Sequence, residues 1–466
     1  MRQTLRPLPE LERMNKRTFL RLAAALGARS ILFQWPGPGA GGKVPEKLKN
    51  WAGNIDYGTE NLFAAGTPEE VAGYVRNHSK LKVLGTRHSF NTIADSRDGF
   101  LSLTSLDDRP QLDTARPAVT VDANITYGRL AQFLHEKGWA LHNLASLPHI
   151  SVAGACSTGT HGSGERNGNL STAVRGLQMV TASGDTVELS GEKDGQLFPA
   201  AVVGLGALGV IRRITLEIEP TFLVKQWVYQ NMPLAAAMAH FDEIQASGYS
   251  VSLFTDWRRK NVNEVWIKSR VGAPGEFQAK PELFAAKLAT RNLHPIAELS
   301  AENSTEQMGV PGPWYERLPH FKMGFTPSAG KELQSEFFVP RKNAAEAILA
   351  VERLGEKISP HLMITEIRTI AADELWMSPC YRRDSVAIHF TWQQDWPAVK
   401  NLLPEIERSL KPFGVRPHWG KLFTLAPEDL RAAYPRHAEF VELAKKFDGQ
   451  GKFRNDFLNT YLFGEG

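Results

Sequence analysis

The stretch Leu84-Gly85-Thr86-Arg87-His88-Ser89-Phe90-Asn91 follows directly on a short apolar run, Lys82-Val83-Leu84, and so sets a histidine in a glycine-started, hydroxyl-rich loop at a strand end. Loops at strand ends are where folds that alternate helix and strand place reactive groups, because a rigid scaffold positions them while backbone N–H groups stay free to bind. Read as an exposed loop residue, His88 keeps a neutral, nucleophilic ring nitrogen near physiological pH. Taken alone, such a histidine is ordinarily a structural hydrogen bonder. Its meaning depends on what surrounds it.

Outward from this loop the chain alternates helix and strand. Thr67-Pro68-Glu69-Glu70 starts a helix with proline in its first turn and Val71, Tyr74 and Val75 on one face. Downstream the same logic repeats: Ala118 to Asp122 alternates as a strand, Leu130, Phe133 and Leu134 mark a helix face, and Gly138 closes it. Leu177 to Thr181 and Thr186 to Leu189 flank Ser183-Gly184-Asp185 as a hairpin. Val210 to Ile218 alternates cleanly and stops at Pro220, where a domain boundary is expected.

Two small-residue stretches lie inside this half. From Ser146 through Ser151, Gly154, Thr158 and Gly159 to Gly162 and Gly164, small residues interleave with hydroxyls, which lets backbone amides approach an anion such as a pyrophosphate. No lysine follows the glycines as in a Walker motif, and the spacing is not that of a Rossmann loop. His142, His149 and His161 fit no zinc spacing, so no metal is expected. Gly204-Leu205-Gly206-Ala207-Leu208-Gly209, leading into Val210 and Ile211, is either a tight turn or the second wall of a dinucleotide site.

The other half carries Thr365-Glu366-Ile367-Arg368-Thr369, His389-Phe390-Thr391-Trp392 and Pro417-His418-Trp419-Gly420-Lys421. In a strand, Glu366 and Arg368 point to one face. A structural salt bridge is the ordinary reading of such a pair, and Trp392 and Trp419 are by default core aromatics.

Bulk properties narrow the choice. A length of 466 residues suggests two domains, and 54 basic against 50 acidic residues leave a net charge of +4, no footprint of a nucleic-acid binder. Only two cysteines, Cys156 and Cys380, are present, too few for a disulfide scaffold or a cysteine zinc site. No run reaches the ~20 apolar residues of a membrane span. Asn15-Lys16-Arg17-Thr18-Phe19-Leu20-Arg21, an alanine-rich apolar run and a Pro/Gly linker follow the order of an export signal. The stretch resembles a twin-arginine signal with lysine for the first arginine, which implies the twin-arginine machinery and a periplasmic or secreted protein; Arg21 and Arg29 in the apolar run suit the alternative, an extension on a cytoplasmic enzyme.

In order, these motifs resemble the vanillyl-alcohol-oxidase-type flavoproteins and, within them, the aldonolactone and alditol (xylitol) oxidases. The resemblance starts at Asn50-Trp51-Ala52-Gly53-Asn54 and runs through Pro311-Gly312-Pro313-Trp314 to the C-terminus, with Gly451-Lys452-Phe453-Arg454-Asn455 near its end. It implies an α+β, two-domain FAD-binding fold of the PCMH/VAO type. Residues 1–49 would be the export-like segment and linker, 50–220 the FAD-binding domain, 221–425 an α+β substrate (cap) domain, and 426–466 a C-terminal segment packing back on the FAD domain. The cofactor implied is FAD, attached covalently as an 8α-histidyl flavin through His88. Its expected contacts are Leu84, Gly85, Thr86, Arg87, Ser89, Ser146, Ser151, Gly154, Thr158, Gly159, Gly162, Val210, Ile211 and His418. Arg87 is a departure, because related oxidases often carry smaller residues there.

The resemblance further implies that Arg368 and Lys421 polarise a substrate hydroxyl while Ser146, Glu366 and Thr391 bind the others. A polyol needs such a polar lining, since unpaired buried donors are costly. The expected reaction is oxidation of the terminal primary alcohol of a C4 to C6 alditol, such as xylitol or sorbitol, to the aldose, with O2 giving H2O2. Two alternatives stand beside it: a sugar or aldonolactone dehydrogenase of the same fold using a quinone or cytochrome, and a non-catalytic flavin- or carbohydrate-binding protein.

Overall fold

Thr67 begins the first helix by accepting the Glu70 N–H at 3.2 Å; Pro68 at the first turn needs no N–H partner, and Val71 and Val75 turn their apolar face inward. That helix, Pro68–Asn77, leads into the strand Lys82–Val83, which pairs in parallel with Phe100–Ser102, itself parallel to Leu62–Ala64. The computed structural model describes residues 47–106, 109–324 and 332–465. The export-like stretch and its linker, up to residue 46, lie outside them.

The next unit forms the expected strand and helix, but in a second sheet. Ala118–Asp122 does not extend the parallel sheet but joins a five-stranded antiparallel one, in the order Gln111–Asp113, Ala118–Asp122, Val210–Glu217, Val174–Val180, Thr186–Ser190. The hairpin around Gly184 forms as expected, with φ +85° at the glycine. The helix Tyr127–Glu136 buries Leu130 and Leu134, and Gly138 follows it at φ +81°.

Beyond Pro220 the chain enters a ten-stranded antiparallel sheet. Its middle runs Leu223–Pro233, Asn261–Arg270, Ser250–Thr255, Leu362–Ile370, Ser385–Gln393, Glu332–Pro340. Phe337, Val339, Ile367 and Ile388 join the main apolar core together with Ala347 and Ile348 of the helix Ala344–Glu352 and Leu403 and Ile406 of the helix Trp396–Leu410. The residues between them, Glu336, Glu366, Arg368 and His389, therefore project from the opposite face. Trp392 and Trp419 are core residues, with indole N–H groups donating to Ser335 Oγ and to the Met377 carbonyl, each at 2.8 Å.

After the helices Pro427–Ala433 and His437–Phe447, the chain returns to the first half. Leu81 N–H donates to the Lys452 carbonyl at 3.0 Å, and Asn455 Nδ2 donates to the carbonyls of Thr92, Ile93 and Asp95. The described residues from Lys47 onward form one compact unit. No helix among the described residues is long and apolar enough to cross a membrane.

Candidate active site

A cavity of 660 Å³ opens between the loop at 84–90, the small-residue stretch at 145–161 and the polar face of the large sheet. The loop is held from two sides. Asn50 Nδ2 donates to the Ser89 carbonyl at 2.9 Å, Asn54 Nδ2 to that of Phe90 at 3.0 Å, and the Trp51 N–H to that of Arg87 at 2.8 Å. Across the cavity, Asn91 Nδ2 donates to the carbonyls of Trp419 at 2.8 Å and Lys421 at 2.7 Å. One histidine loop and one lysine loop are thereby locked together.

His88 is not the exposed residue read from the sequence. Its ring stacks on Trp51, centroids 4.2 Å apart, and its Nε2 is buried with no hydrogen-bond partner in the chain. Burial, then the fields of His149 and Lys421, push its pKa down to about 4, so the ring is a neutral nucleophile at pH 7. Arg87 takes φ +61°, an uncommon conformation for a residue with a side chain, and its Nη1 donates to the Lys49 carbonyl at 3.2 Å. The departure from smaller residues is thus accommodated outside the histidine's own contacts.

The glycines show why the stretch must be small. A Cβ at Gly154 would lie 2.8 Å from Ser151 Oγ, and one at Gly85 would lie 3.0 Å from the same atom. Thr86 Oγ1 accepts the Ser151 N–H at 3.3 Å, so the two loops meet at Ser151. Leu84, Gly85, Thr86, Arg87, His88, Ser89, Ser146, Ser151, Gly154, Thr158, Ile211 and His418 line the cavity.

Three expected contacts, Gly159, Gly162 and Val210, do not line it. Gly159 sits at φ +67°, where a Cβ would press to 3.0 Å on Pro379 Cδ, and a Cβ on Gly162 would stand 2.4 Å from the Leu144 carbonyl oxygen. Both are small so that backbone and neighbours can pack. Val210 pairs with Val180 and lies in an apolar cluster with Leu101 and Phe453, because successive strand residues face opposite ways and it is Ile211 that reaches the cavity.

Sheet register assembles the opposite wall. Glu366 pairs with His389, His389 with Glu336, and Thr391 with both Ile364 and Gln334, so these side chains stand in rows on one face. Arg368 Nη2 donates to Glu336 Oε1 at 2.7 Å, its Nη1 to Ser146 Oγ at 3.2 Å, and its Nε lies 3.5 Å from Glu366 Oε1. Lys421 Nζ donates to Glu336 Oε2 at 2.6 Å and to His389 Nδ1 at 2.7 Å. His389 Nε2, 3.1 Å from Thr391 Oγ1, is then the protonated nitrogen of a neutral ring. Burial pushes that ring down to about 4, with the Lys421 charge adding to the effect.

On the far side, Lys268 Nζ donates to His320 Nδ1 at 3.2 Å, and His320 Nε2 donates to Glu366 Oε1 at 2.7 Å. Burial opposes ionisation of Glu366, but Arg368 and His320 outweigh it and hold the carboxyl well below its usual range. Likewise burial raises Glu336 while Lys421, His161 and Arg368 prevail and keep it ionised. Burial lowers Lys421, and Glu336 offsets part of that loss.

Glu336, His389 and His320 were not assigned from sequence. Glu336 had a signal: Glu332, Gln334 and Glu336 alternate with Leu333, Ser335 and Phe337 in a strand that is otherwise core. His320 had none, since it comes from a loop paired with no motif.

The residues fit an FAD. Glycines and hydroxyls offer close backbone approach along one wall, and an orphaned, buried imidazole nitrogen sits beside it. Residues 60–190 match the family model "FAD binding domain", and residues 326–461 match "D-arabinono-1,4-lactone oxidase". The chain is 46% identical over 421 residues to an alditol oxidase of a Streptomyces species, covering 90% of this chain and 99% of that one. It is 27% identical to the L-gulonolactone oxidase of Bos taurus, over 90% of this chain and 98% of the other. Its fold is similar to that of a cholesterol oxidase from B. sterolicum, at a TM-score of 0.71 and 15% identity over 89% and 96% of the two chains. Motif order, cavity and kinship agree that the chain belongs to the aldonolactone and alditol oxidase family of vanillyl-alcohol-oxidase-type flavoproteins and is an FAD-dependent oxidoreductase.

Proposed function

We propose that this protein oxidises the terminal primary alcohol of C4 to C6 alditols, xylitol and sorbitol among them, to the aldose, with O2 reduced to H2O2. The observation that carries this reading is the convergence of Arg368, Lys421, Glu366, Thr391 and Ser146 on one cavity that the His88 loop also lines. FAD, when bound, would supply the acceptor for the carbon-bound hydrogen as hydride and the route of its two electrons to O2; that hydrogen and the proton lost from the hydroxyl balance the two hydrogens of H2O2.

The protein's part is polarisation and orientation. Lys421 and Arg368 place two positive charges in a water-poor site, where they stabilise negative charge developing on a hydroxyl oxygen far more than they would in water. Glu366 accepts from substrate hydroxyls and Thr391 and Ser146 both donate and accept, which satisfies a polyol along its length. Glu336 and Glu366 balance the charges of Arg368 and Lys421, which suits a neutral substrate. Anaerobic addition of xylitol should bleach the visible flavin absorbance. No bleaching with any polyol would sink the substrate assignment, turnover without oxygen uptake would sink O2 as the acceptor, and uptake without matching peroxide would sink H2O2 as its product.

His88 is the covalent anchor, forming an 8α-histidyl flavin. The support is its neutral ring, its partnerless Nε2 and the Trp51 stack that fixes its plane. Wild-type protein should stay yellow through acid precipitation, whereas His88→Ala should release its colour. Twin-arginine export to the periplasm or beyond is a further part of this reading and rests on residues 15–42 alone; a protein of full mass retained in the cytoplasm would count against it.

A further inference from the structure

Glu336 lies in the middle of the strand Glu332–Pro340, and its side chain exposes 0% of its surface. Oε1 accepts from Arg368 and lies 3.2 Å from His161 Nε2, while Oε2 accepts from Lys421. One carboxylate therefore bridges the two cations that face the cavity, and those cations come from different parts of the chain. Arg368 has a second carboxylate in Glu366, 3.5 Å from its Nε. For Lys421, Glu336 is the only carboxylate within ion-pair distance among the described residues.

A buried carboxylate facing two cations is costly to assemble, and removing it leaves two charges uncompensated. The expense is not needed for the sheet itself. The neighbouring residues Phe337, Phe338 and Val339 pack without polar groups, and apolar residues replacing Glu336, Arg368 and Lys421 together would serve the fold as well. What a carboxylate alone supplies is a fixed distance between Lys421 Nζ and the Arg368 guanidinium, and a countercharge that keeps the lysine protonated.

We infer that Glu336 is a positioning residue of the reaction: acting through Lys421 and Arg368, it sets where the two cations stand against the substrate hydroxyl and holds Lys421 in its cationic form. The inference rests on the proposed alcohol oxidation and names a residue that does not itself meet substrate.

The surroundings decide how to test it. Glu366 and Arg368 face the pair from one strand, His389 from the next, His161 from the small-residue stretch and His418 from the lysine's own loop. Burial holds His389 at about 4 and lowers His161 and His418, so none of these three titrates above neutrality. Lys268, pushed down to about 7 by burial, with Glu366 opposing and Arg368 adding to the effect, bonds to the cluster through His320 and is common to wild type and any Glu336 variant. A change in the alkaline limb between the two therefore reports Lys421.

The experiment compares wild type, E336Q and E336D as flavin-loaded enzymes, measuring kcat and KM for xylitol from pH 6 to 10 together with flavin content. E336Q keeps the shape and loses the charge. Its kcat should fall about 10²-fold, more than KM rises, and its alkaline limb should move to lower pH by about one unit or more. E336D keeps the charge but withdraws it, so kcat should fall while the limb stays near that of wild type. An unshifted limb in flavin-loaded E336Q overturns the inference, and so does a fully active E336D, which alone decides the matter if E336Q does not fold. If wild type does not turn over any polyol, the same profiles are taken with L-gulono-1,4-lactone; that outcome overturns the alditol reading and leaves Glu336 to be judged on the lactone. Failure with both overturns both.

Discussion

Along one wall of the cavity, residues 84–90 and 145–160, glycine, alanine, serine and threonine prevail, and loop meets loop through main chain and hydroxyls. Along the other, residues 334–336, 364–368, 389–391 and 418–421, charged and imidazole side chains bond chiefly to one another. The first wall works by close approach, and what it cannot tolerate is bulk. The second works by fixed charge, and what it cannot tolerate is a missing partner. The difference also sets how each fails: an added methyl displaces backbone in the first, while a lost charge in the second leaves its buried partner uncompensated and the chemistry impaired.

The largest effect should separate the two walls outright. Lys421→Ala should lower kcat/KM for polyol about 10³-fold while the flavin stays bound, as read by absorbance and stopped-flow reduction. Loss of flavin in that variant would break the division of labour. Just past the other wall, outside the cavity lining, Gly162→Ala should cost stability instead, about 3 kcal/mol by denaturant unfolding, because its Cβ would meet the Leu144 carbonyl at 2.4 Å. Normal stability with a changed KM would show that the glycine belongs to the site after all.

A smaller effect follows from the buried histidines of the charged wall. His320 and His389 have pKa values lowered from 6.5 to about 4 in the folded protein, so the unfolded chain binds more protons between those values. Their contribution to stability is complete above pH 6.5 and is lost as pH falls toward 4. Tm should therefore drop over that window, and drop less in His320→Gln; an unchanged slope would remove His320 from the account. Smallest is Trp51→Ala, which deletes the 4.2 Å stack on His88 and should cost about 1 kcal/mol, with slower flavin incorporation in apoprotein reconstitution.

The same division explains what was readable from residues alone. Close approach demands small residues in consecutive positions, so the loop at His88 and the stretch from Ser146 to Gly164 stand out as local patterns. That pattern overreached at Gly159 and Gly162, where smallness serves packing against Pro379 and Leu144, and at Val210, where strand alternation turns the side chain away. Glu366 and Arg368 could be placed on one face because they are two residues apart. Their partner Glu336 lies 30 residues before Glu366 on another strand, and only register brings it opposite His389.

Local order in the sequence was enough to determine the helix started by Thr67 and Pro68, the hairpin at Gly184, the flavin-type loop and the family to which the chain belongs, because each is written in neighbouring residues. The tertiary structure decided the rest: that Ala118–Asp122 joins an antiparallel sheet, that His88 is stacked and shielded, and that one buried carboxylate ties Lys421 to Arg368. Those outcomes depend on pairing between distant strands and on burial, which act through space and leave no mark at fixed spacing along the chain.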